Sequence, residues 1–249
     1  MDKNPYSLEG QNVLVTGASS GIGRAIAVES SRMGAHVTAL GRDQCRLDQT
    51  VAALEGKGHQ AVRLDLCDDV QLERMVSALD SVDGVVNAAG LTRTAPAKFI
   101  DKADFDEIMA VNVYAPMKLM KHLLTYKKLN NAASLVFISS VVGGILPYKG
   151  QGVYAASKGA LSAYAKVLAL ELSSRKIRVN SVAPAMVRTR LLDTLGADAE
   201  ALNEDEKRYP LGYGTPEDVA WAVVYLLSNA SRWMTGNILS IDGGVTLTK

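Results

Sequence analysis

The sequence predicts an α/β fold, a doubly wound parallel sheet of seven strands with helices on both faces, on three observations. Short apolar runs alternate with helical patterns along the whole chain. The runs are rich in Val, Ile and Leu and mostly lack polar alternation, as strands covered on both faces do. No Pro-, Gly- or Ser-rich linker and no charge block interrupts the 249 residues, so the chain reads as one domain, 1–249.

Strands are expected at Asn12–Thr16, Ala35–Leu40, Gln60–Asp65, Gly84–Asn87, Ser134–Ser139, Arg178–Val182 and Gly236–Ile241. Helical patterns lie between them at Gly21–Met33, Gln44–Glu55, Val70–Leu79, Ala103–Tyr126, Val153–Arg175 and Pro216–Ser228. Such alternation implies right-handed crossovers. Ligands in these sheets sit beyond the carboxyl ends of the strands, where strand order reverses. Met186 to Gly214 breaks the rhythm, mixing Leu191, Leu192, Leu195 and Leu202 with Glu200, Glu204, Asp205 and Glu206. A connection of that length reads as a short amphipathic helical lid over a substrate, at about 186–214.

Lys and Arg (27) nearly balance Asp and Glu (26), which leaves no basic stripe for nucleic acid and no polybasic membrane anchor. The first apolar run, Val13–Val15, is too short for a signal-peptide core or a membrane span. The richest one, Ala155–Leu172, is cut by Lys158, Lys166 and Glu171. Cys45 and Cys67 lack metal-like spacing, and His36, His59 and His122 sit in no ligand motif. A reduced, cytoplasmic protein without a metal is expected. Trp221 and Trp233 read as core or interface residues.

The first strand runs into Thr16-Gly17-Ala18-Ser19-Ser20-Gly21-Ile22-Gly23, and a helix follows. The GxxxGxG spacing serves a tight turn and close backbone approach to a pyrophosphate at a helix N-terminus. A glycine-rich turn alone is a weak signal; its place between a buried strand and a helix strengthens it. The second strand ends in Gly41-Arg42. The carboxylate that would bond a ribose 2′-hydroxyl about 20 residues past the glycines is therefore missing. Arg42 offers instead a planar, permanent cation suited to a 2′-phosphate, the alternative being a solvated surface charge. NADP(H) is the expected cofactor.

Tyr154 and Lys158 stand four residues apart near the start of a predicted helix, so both side chains lie on one face. A free phenol titrates near ~10, and a neighbouring ammonium is expected to lower that value. A tyrosine so tuned could exchange a proton with the oxygen that hydride transfer leaves on a ketone. Alone, such a pair is common surface chemistry.

Together these segments resemble the short-chain dehydrogenase/reductase family, from Asn12 to Gly244. The likeness is carried by the glycine turn (Gly17, Ser19, Ser20, Gly21, Ile22, Gly23), by Asp65-Leu66, by Asn87-Ala88-Ala89-Gly90, by Tyr154-Ala155-Ala156-Ser157-Lys158 and by Asn180 to Thr189. It implies a Rossmann fold with Asp65 and Leu66 beside an adenine and Asn87, Ala88, Ala89 and Gly90 along the cofactor. Pro184, Val187 and Thr189 would cover the nicotinamide, with Tyr154 and Lys158 also touching the cofactor. Gly41 stands where the family's NAD-selecting Asp does, and Asp43 becomes a helix-start residue.

The resemblance further implies a catalytic set of Asn112, Ser140, Tyr154 and Lys158. Ser140 would bond the substrate oxygen beside Tyr154, while strand alternation turns Ser139 to the opposite face. Asn112 would hold a water that links the lysine to solvent. Three departures stand out: Ala88 replaces a second Asn, Ala185 replaces a Gly, and the gap from Ser140 to Tyr154 is one residue longer than expected.

The implied activity is NADPH-dependent reduction of a carbonyl to an alcohol with Tyr154 as proton donor. The motif set is similar to that of bacterial 3-oxoacyl-(acyl-carrier-protein) reductases. Arg175 matches one arginine that docks the acidic carrier there; Asn131 stands at the other position, with Lys127 and Lys128 nearby. The compact stretch between Asp65 and Asn87 is more like small-carbonyl or xylulose reductases, so sugar, polyol and steroid substrates stay open. A non-catalytic NADP(H)-binding sensor on the same fold is the contrasting class. It predicts decay of the catalytic set, and all four positions are intact. The expected partners are a small-molecule or acyl-carrier-bound carbonyl substrate, with no nucleic acid and no membrane. Helices Ala103–Tyr126 and Val153–Arg175 would form the contacts of a homotetramer or homodimer.

Overall fold

The computed structural model of the chain describes residues 4–189 and 199–248. Among them, the strands are β1 Asn12–Thr16, β2 His36–Gly41, β3 Gln60–Arg63, β4 Val82–Asn87, β5 Leu129–Ile138, β6 Arg178–Pro184 and β7 Ile238–Ile241. They form one parallel sheet in the order β3-β2-β1-β4-β5-β6-β7. The chain fills one side of β1 as far as β3 and the other side from β4 onward. The carboxyl ends of β1 and β4 therefore flank the switch point.

The helices are α1 Gly21–Arg32, α2 Gln44–Ala52, α3 Asp69–Ala78, α4 Lys102–Met109, α5 Ala115–Thr125, α6 Gly152–Glu171, α7 Ala199–Glu206 and α8 Pro216–Leu227. Val13, Val15, Val86 and Val136 face Ile26 of α1 and Val219 and Val223 of α8. Their strand neighbours Leu14, Val85, Leu135 and Phe137 face the other way, onto Leu72 of α3, Leu119 of α5 and Leu161 of α6. The two-residue strand period thus feeds two apolar layers, which is why the strands read as unbroken hydrophobic runs.

Several expectations need correction. Ala103–Tyr126 is not one helix: α4 ends at Met109, a π turn spans Ala110–Tyr114, and α5 follows. Pro116 explains the break, because it lacks the N–H that a continuous α-helix would present to the carbonyl of Asn112. β5 starts at Leu129, five residues earlier than its apolar run, and stops before Ser139. Trp221 is 57% exposed and Trp233 99% exposed, so neither is a core residue.

In the expected lid, Leu191, Leu192 and Leu195 lie outside the described residues, and the described part holds α7. Among the described residues, no helix is long and apolar enough to cross a membrane, and no His/Cys/Asp/Glu group could hold a metal.

Candidate active site

Where β1 ends, the chain turns at Gly17 with φ +68°; a Cβ there would stand 2.8 Å from the backbone of Ala89, so only glycine fits. Thr16 Oγ1 accepts the backbone N–H groups of Ala88 and Ala89 at 3.0 and 3.1 Å, which ties the turn after β4 to the end of β1. Ser20 caps α1 without a side-chain hydrogen bond, and the first turn of α1 carries no acidic residue. Its N–H groups and the positive helix end thus face the switch point without a protein anion. A Cβ on Gly21 would lie 3.4 Å from the Thr189 side chain, so the segment after β6 reaches the same place. A helix start of this kind can hold a pyrophosphate.

Gly41 abuts Ser19: a Cβ at Gly41 would meet Ser19 Oγ at 3.3 Å, and the glycine brings no carboxylate to this place. Arg42 follows, exposed and without an ion-pair partner among the described residues. Asp43 caps α2, its Oδ1 accepting the N–H of Arg46 at 3.1 Å, and so is already committed. Asp65 is exposed, its Oδ1 accepting the Cys67 N–H at 2.9 Å, and Leu66 packs on the second apolar layer. Asn87 sits inside the sheet, 2% exposed, and its carboxamide has no partner among the described residues. Ala88 and Gly90, not Asn87, line the cleft, together with Ile22, Pro184, Val187 and Thr189.

The cleft continues to the carboxyl end of β5, where three of the four predicted catalytic side chains meet. Tyr154 and Lys158 occupy the first turns of α6, and Lys158 Nζ lies 5.6 Å from the Tyr154 ring centroid. That amine donates to the Ile138 carbonyl at 2.8 Å. Ser140 Oγ donates to the Pro184 carbonyl at 3.3 Å and accepts the Val142 N–H at 3.3 Å. Ser139 is buried against α6, its hydroxyl donating to the Lys158 carbonyl at 3.0 Å and bonding Ser162 Oγ at 2.7 Å.

Asn112 lies in the π turn, fully buried. Its Oδ1 accepts the Leu91 N–H at 2.8 Å, and its Nδ2 donates to the Leu91 carbonyl at 2.9 Å and to Ser157 Oγ at 3.0 Å. A Cβ on Gly90 would stand 3.2 Å from Lys158 Nζ and 3.3 Å from Asn112 Oδ1, so the glycine leaves the space between them open. Both amide protons are used within the protein, and Oδ1 accepts one hydrogen bond.

The electrostatics reverse one expectation. Burial pushes the Tyr154 phenol up to about 12, opposed only in part by the Ser140 hydroxyl beside it, whereas a lowered value was expected from the ammonium. The same burial pulls Lys158 down to about 8. Each group loses the water that would stabilise its charge, and that loss sets the direction of both shifts. The phenol therefore holds its proton near neutral pH, as a proton donor must.

Sequence reasoning missed Thr16, Ser157, and a set of cleft residues, Thr92, Gln151, Tyr148 and Tyr209. Thr16 had a signal, a polar residue ending an apolar strand, and Ser157 lies inside the Tyr154–Lys158 segment. Tyr209 lies within the expected lid, and Tyr148 and Gln151 lie in the Gly143–Gly152 loop, which with the lid was expected to build the pocket; the individual residues and their pairing carried no signal.

A family model described as enoyl-(acyl carrier protein) reductase matches residues 17–246. The 3-oxoacyl-[acyl-carrier-protein] reductase of Thermotoga maritima is 35% identical over 247 residues, covering 96% of this chain and 99% of that protein. The L-xylulose reductase of Mesocricetus auratus is 34% identical over 242 residues, covering 97% and 98%. Among solved structures, a putative NAD(P)-dependent gluconate 5-dehydrogenase from Beutenbergia cavernae, with bound NADP at low occupancy, superposes with a TM-score of 0.89. It is 34% identical and covers 98% of this chain and all of that one.

Proposed function

The chain belongs to the short-chain dehydrogenase/reductase family, a family of oxidoreductases, and from that premise we propose that it reduces a carbonyl to an alcohol with NADPH, Tyr154 being the proton donor. One observation carries the reading: Tyr154, Ser140 and Lys158 line the same cleft as the segments that close over the uncapped start of α1. NADP(H) is supported by Arg42, exposed and without an ion-pair partner among the described residues, by the absence of a carboxylate at Gly41, and by the bound NADP of the Beutenbergia relative.

The cofactor supplies the hydride when bound. Tyr154 Oη gives its proton to the carbonyl oxygen, so that hydride and proton together make the alcohol. Ser140 Oγ donates to the same oxygen as negative charge gathers there. Lys158, held by the Ile138 carbonyl, places a cation beside the phenolate that proton transfer leaves. The Asn112 carboxamide is committed to Leu91 and Ser157, so the water that the family resemblance assigns to it belongs on its main-chain carbonyl, which Pro116 deprives of a helical donor.

Two substrate readings stand. Likeness to the Thermotoga relative supports a 3-oxoacyl group on an acyl carrier protein. A specific observation favours a small free carbonyl: Arg175 Nε donates to Asn131 Oδ1 at 3.2 Å, and its guanidinium also bonds the Leu129 carbonyl. The one cation of the two candidate docking positions is thus engaged within the chain, and Asn131 supplies none. The test is NADPH and NADH consumption with 3-oxoacyl thioesters, dicarbonyls, ketoses and steroid ketones. NADPH oxidation with a small ketone is expected; none with any substrate supports the sensor.

The same proposal takes the chain as one cytoplasmic domain with a lid at about 186–214, assembled through its long helices. Val167 and Leu170 on α6, 54% and 78% exposed, supply apolar surface for such contacts. A monomer in sedimentation at micromolar concentration would refute the assembly.

A further inference from the structure

Beyond the reacting groups, the cleft of about 250 Å³ has two walls whose hydrogen bonds can be counted. On one, Thr92 Oγ1 donates to Gln151 Oε1 at 2.9 Å and Gln151 Nε2 donates to Thr94 Oγ1 at 3.0 Å. The amide oxygen takes one threonine proton, and the other threonine proton has no partner among the described residues. Turning the amide over exchanges the two threonines and leaves the count unchanged. The backbone bond from Ala95 N to the Gly150 carbonyl, 2.9 Å, holds the two loops of this wall together.

On the other wall, the Tyr148 and Tyr209 hydroxyls bond each other at 2.7 Å. Two phenols bring two protons, and a single bond between them uses one. Tyr209 is 5% exposed and packs edge-on against Tyr213, ring centroids 4.9 Å apart, so this wall is also fixed. At the rim stands Lys149, exposed and without an ion-pair partner among the described residues.

No carboxylate lines the cleft among the described residues. The acids nearest in the chain to Tyr209 are engaged elsewhere. Asp205 pairs with Arg208 at 2.9 Å and accepts from the Tyr213 hydroxyl at 2.8 Å. Glu206 pairs with Arg188 at 2.6 Å and accepts the Tyr213 N–H at 3.1 Å. The cleft therefore offers two spare hydroxyl protons and a cation, with no anion to match. Thr94 is exposed to solvent, but a hydrocarbon chain would leave the donor of the part-buried tyrosine wall unpaired, at a cost in affinity. A ligand rich in acceptors and negatively charged would satisfy them.

We infer that the substrate is a small oxo acid, a ketone whose carboxylate lies toward Lys149 and whose further oxygens accept from the Thr92–Gln151–Thr94 and Tyr148–Tyr209 walls. This rests on the reductase reading above and takes its small-carbonyl branch.

The test is a set of matched ketones assayed with NADPH: a six-carbon oxo acid, its methyl ester, and the hydroxylated and deoxy forms of the acid. The acid is expected to exceed its ester in kcat/KM by about tenfold or more, and Lys149→Gln to shrink that ratio to within about threefold. Tyr148→Phe is expected to reduce the advantage of the hydroxylated acid over the deoxy form, chiefly through KM. An active enzyme that handles the ester as well as the acid, or a ratio unmoved by Lys149→Gln, overturns this inference and leaves the reductase reading standing. No turnover with any ketone overturns both.

Discussion

The floor and the walls of the cleft are built differently. On the floor, Lys158, Ser140 and Asn112 each bond to main-chain carbonyls of the segments that frame the site. On the walls, Thr92, Gln151, Tyr148 and Tyr209 come from loops and bond mainly to one another. Groups held by main-chain partners keep one geometry whatever the substrate, as proton transfer requires. Groups held by each other can pass a bond to a ligand, as selection requires. Chemistry and specificity are thus separable here, and mutations on the two sides should leave different signatures.

The floor should give the largest effects. Ser140→Ala is expected to lower kcat roughly 10²- to 10³-fold while NADPH affinity, followed by nucleotide fluorescence, stays within about twofold. An equal loss in both would make Ser140 a structural residue. Lys158→Met sharpens the same point through pH. The folded lysine titrates near 8 against 10.5 in the open chain, so the cost of its buried charge is complete below pH 8 and is relieved on going from 8 to 10.5. Wild-type stability in urea should therefore rise relative to Lys158→Met across that window, by up to roughly 3 kcal/mol. A flat difference would mean that the amine stays solvated.

Moving outward, Arg42→Ala should raise the KM for NADPH about tenfold or more and change that for NADH less than about twofold. Parallel losses would place Arg42 away from the 2′-phosphate. The smallest effect is expected at Thr16→Val, which keeps the shape but removes the acceptor shared by Ala88 and Ala89. A loss of about 1–2 kcal/mol of unfolding free energy is predicted. No change would show that the turn after β4 does not depend on that hydroxyl.

The same contrast governs what could be read from the chain. The glycine turn and the Tyr154/Lys158 pair are local patterns, and their geometry follows from one turn or one helix. The break at Asn112 was written in Pro116, four residues on, yet the apolar periodicity across Ala103–Tyr126 concealed it. Tyr148 and Tyr209 are 61 residues apart and Thr92 and Gln151 are 59 apart, so no spacing rule joins them. The direction of the Tyr154 shift was misread for a related reason. A sequence shows that an amine is near, but only packing shows how little water reaches either group.

The most direct measurement is made on Tyr154→Phe, with NADPH binding by fluorescence titration and turnover of a good ketone substrate measured on the same sample. If Tyr154 supplies the proton, binding stays within about threefold of wild type while turnover falls by 10² or more. Turnover near the wild-type rate would contradict the assignment.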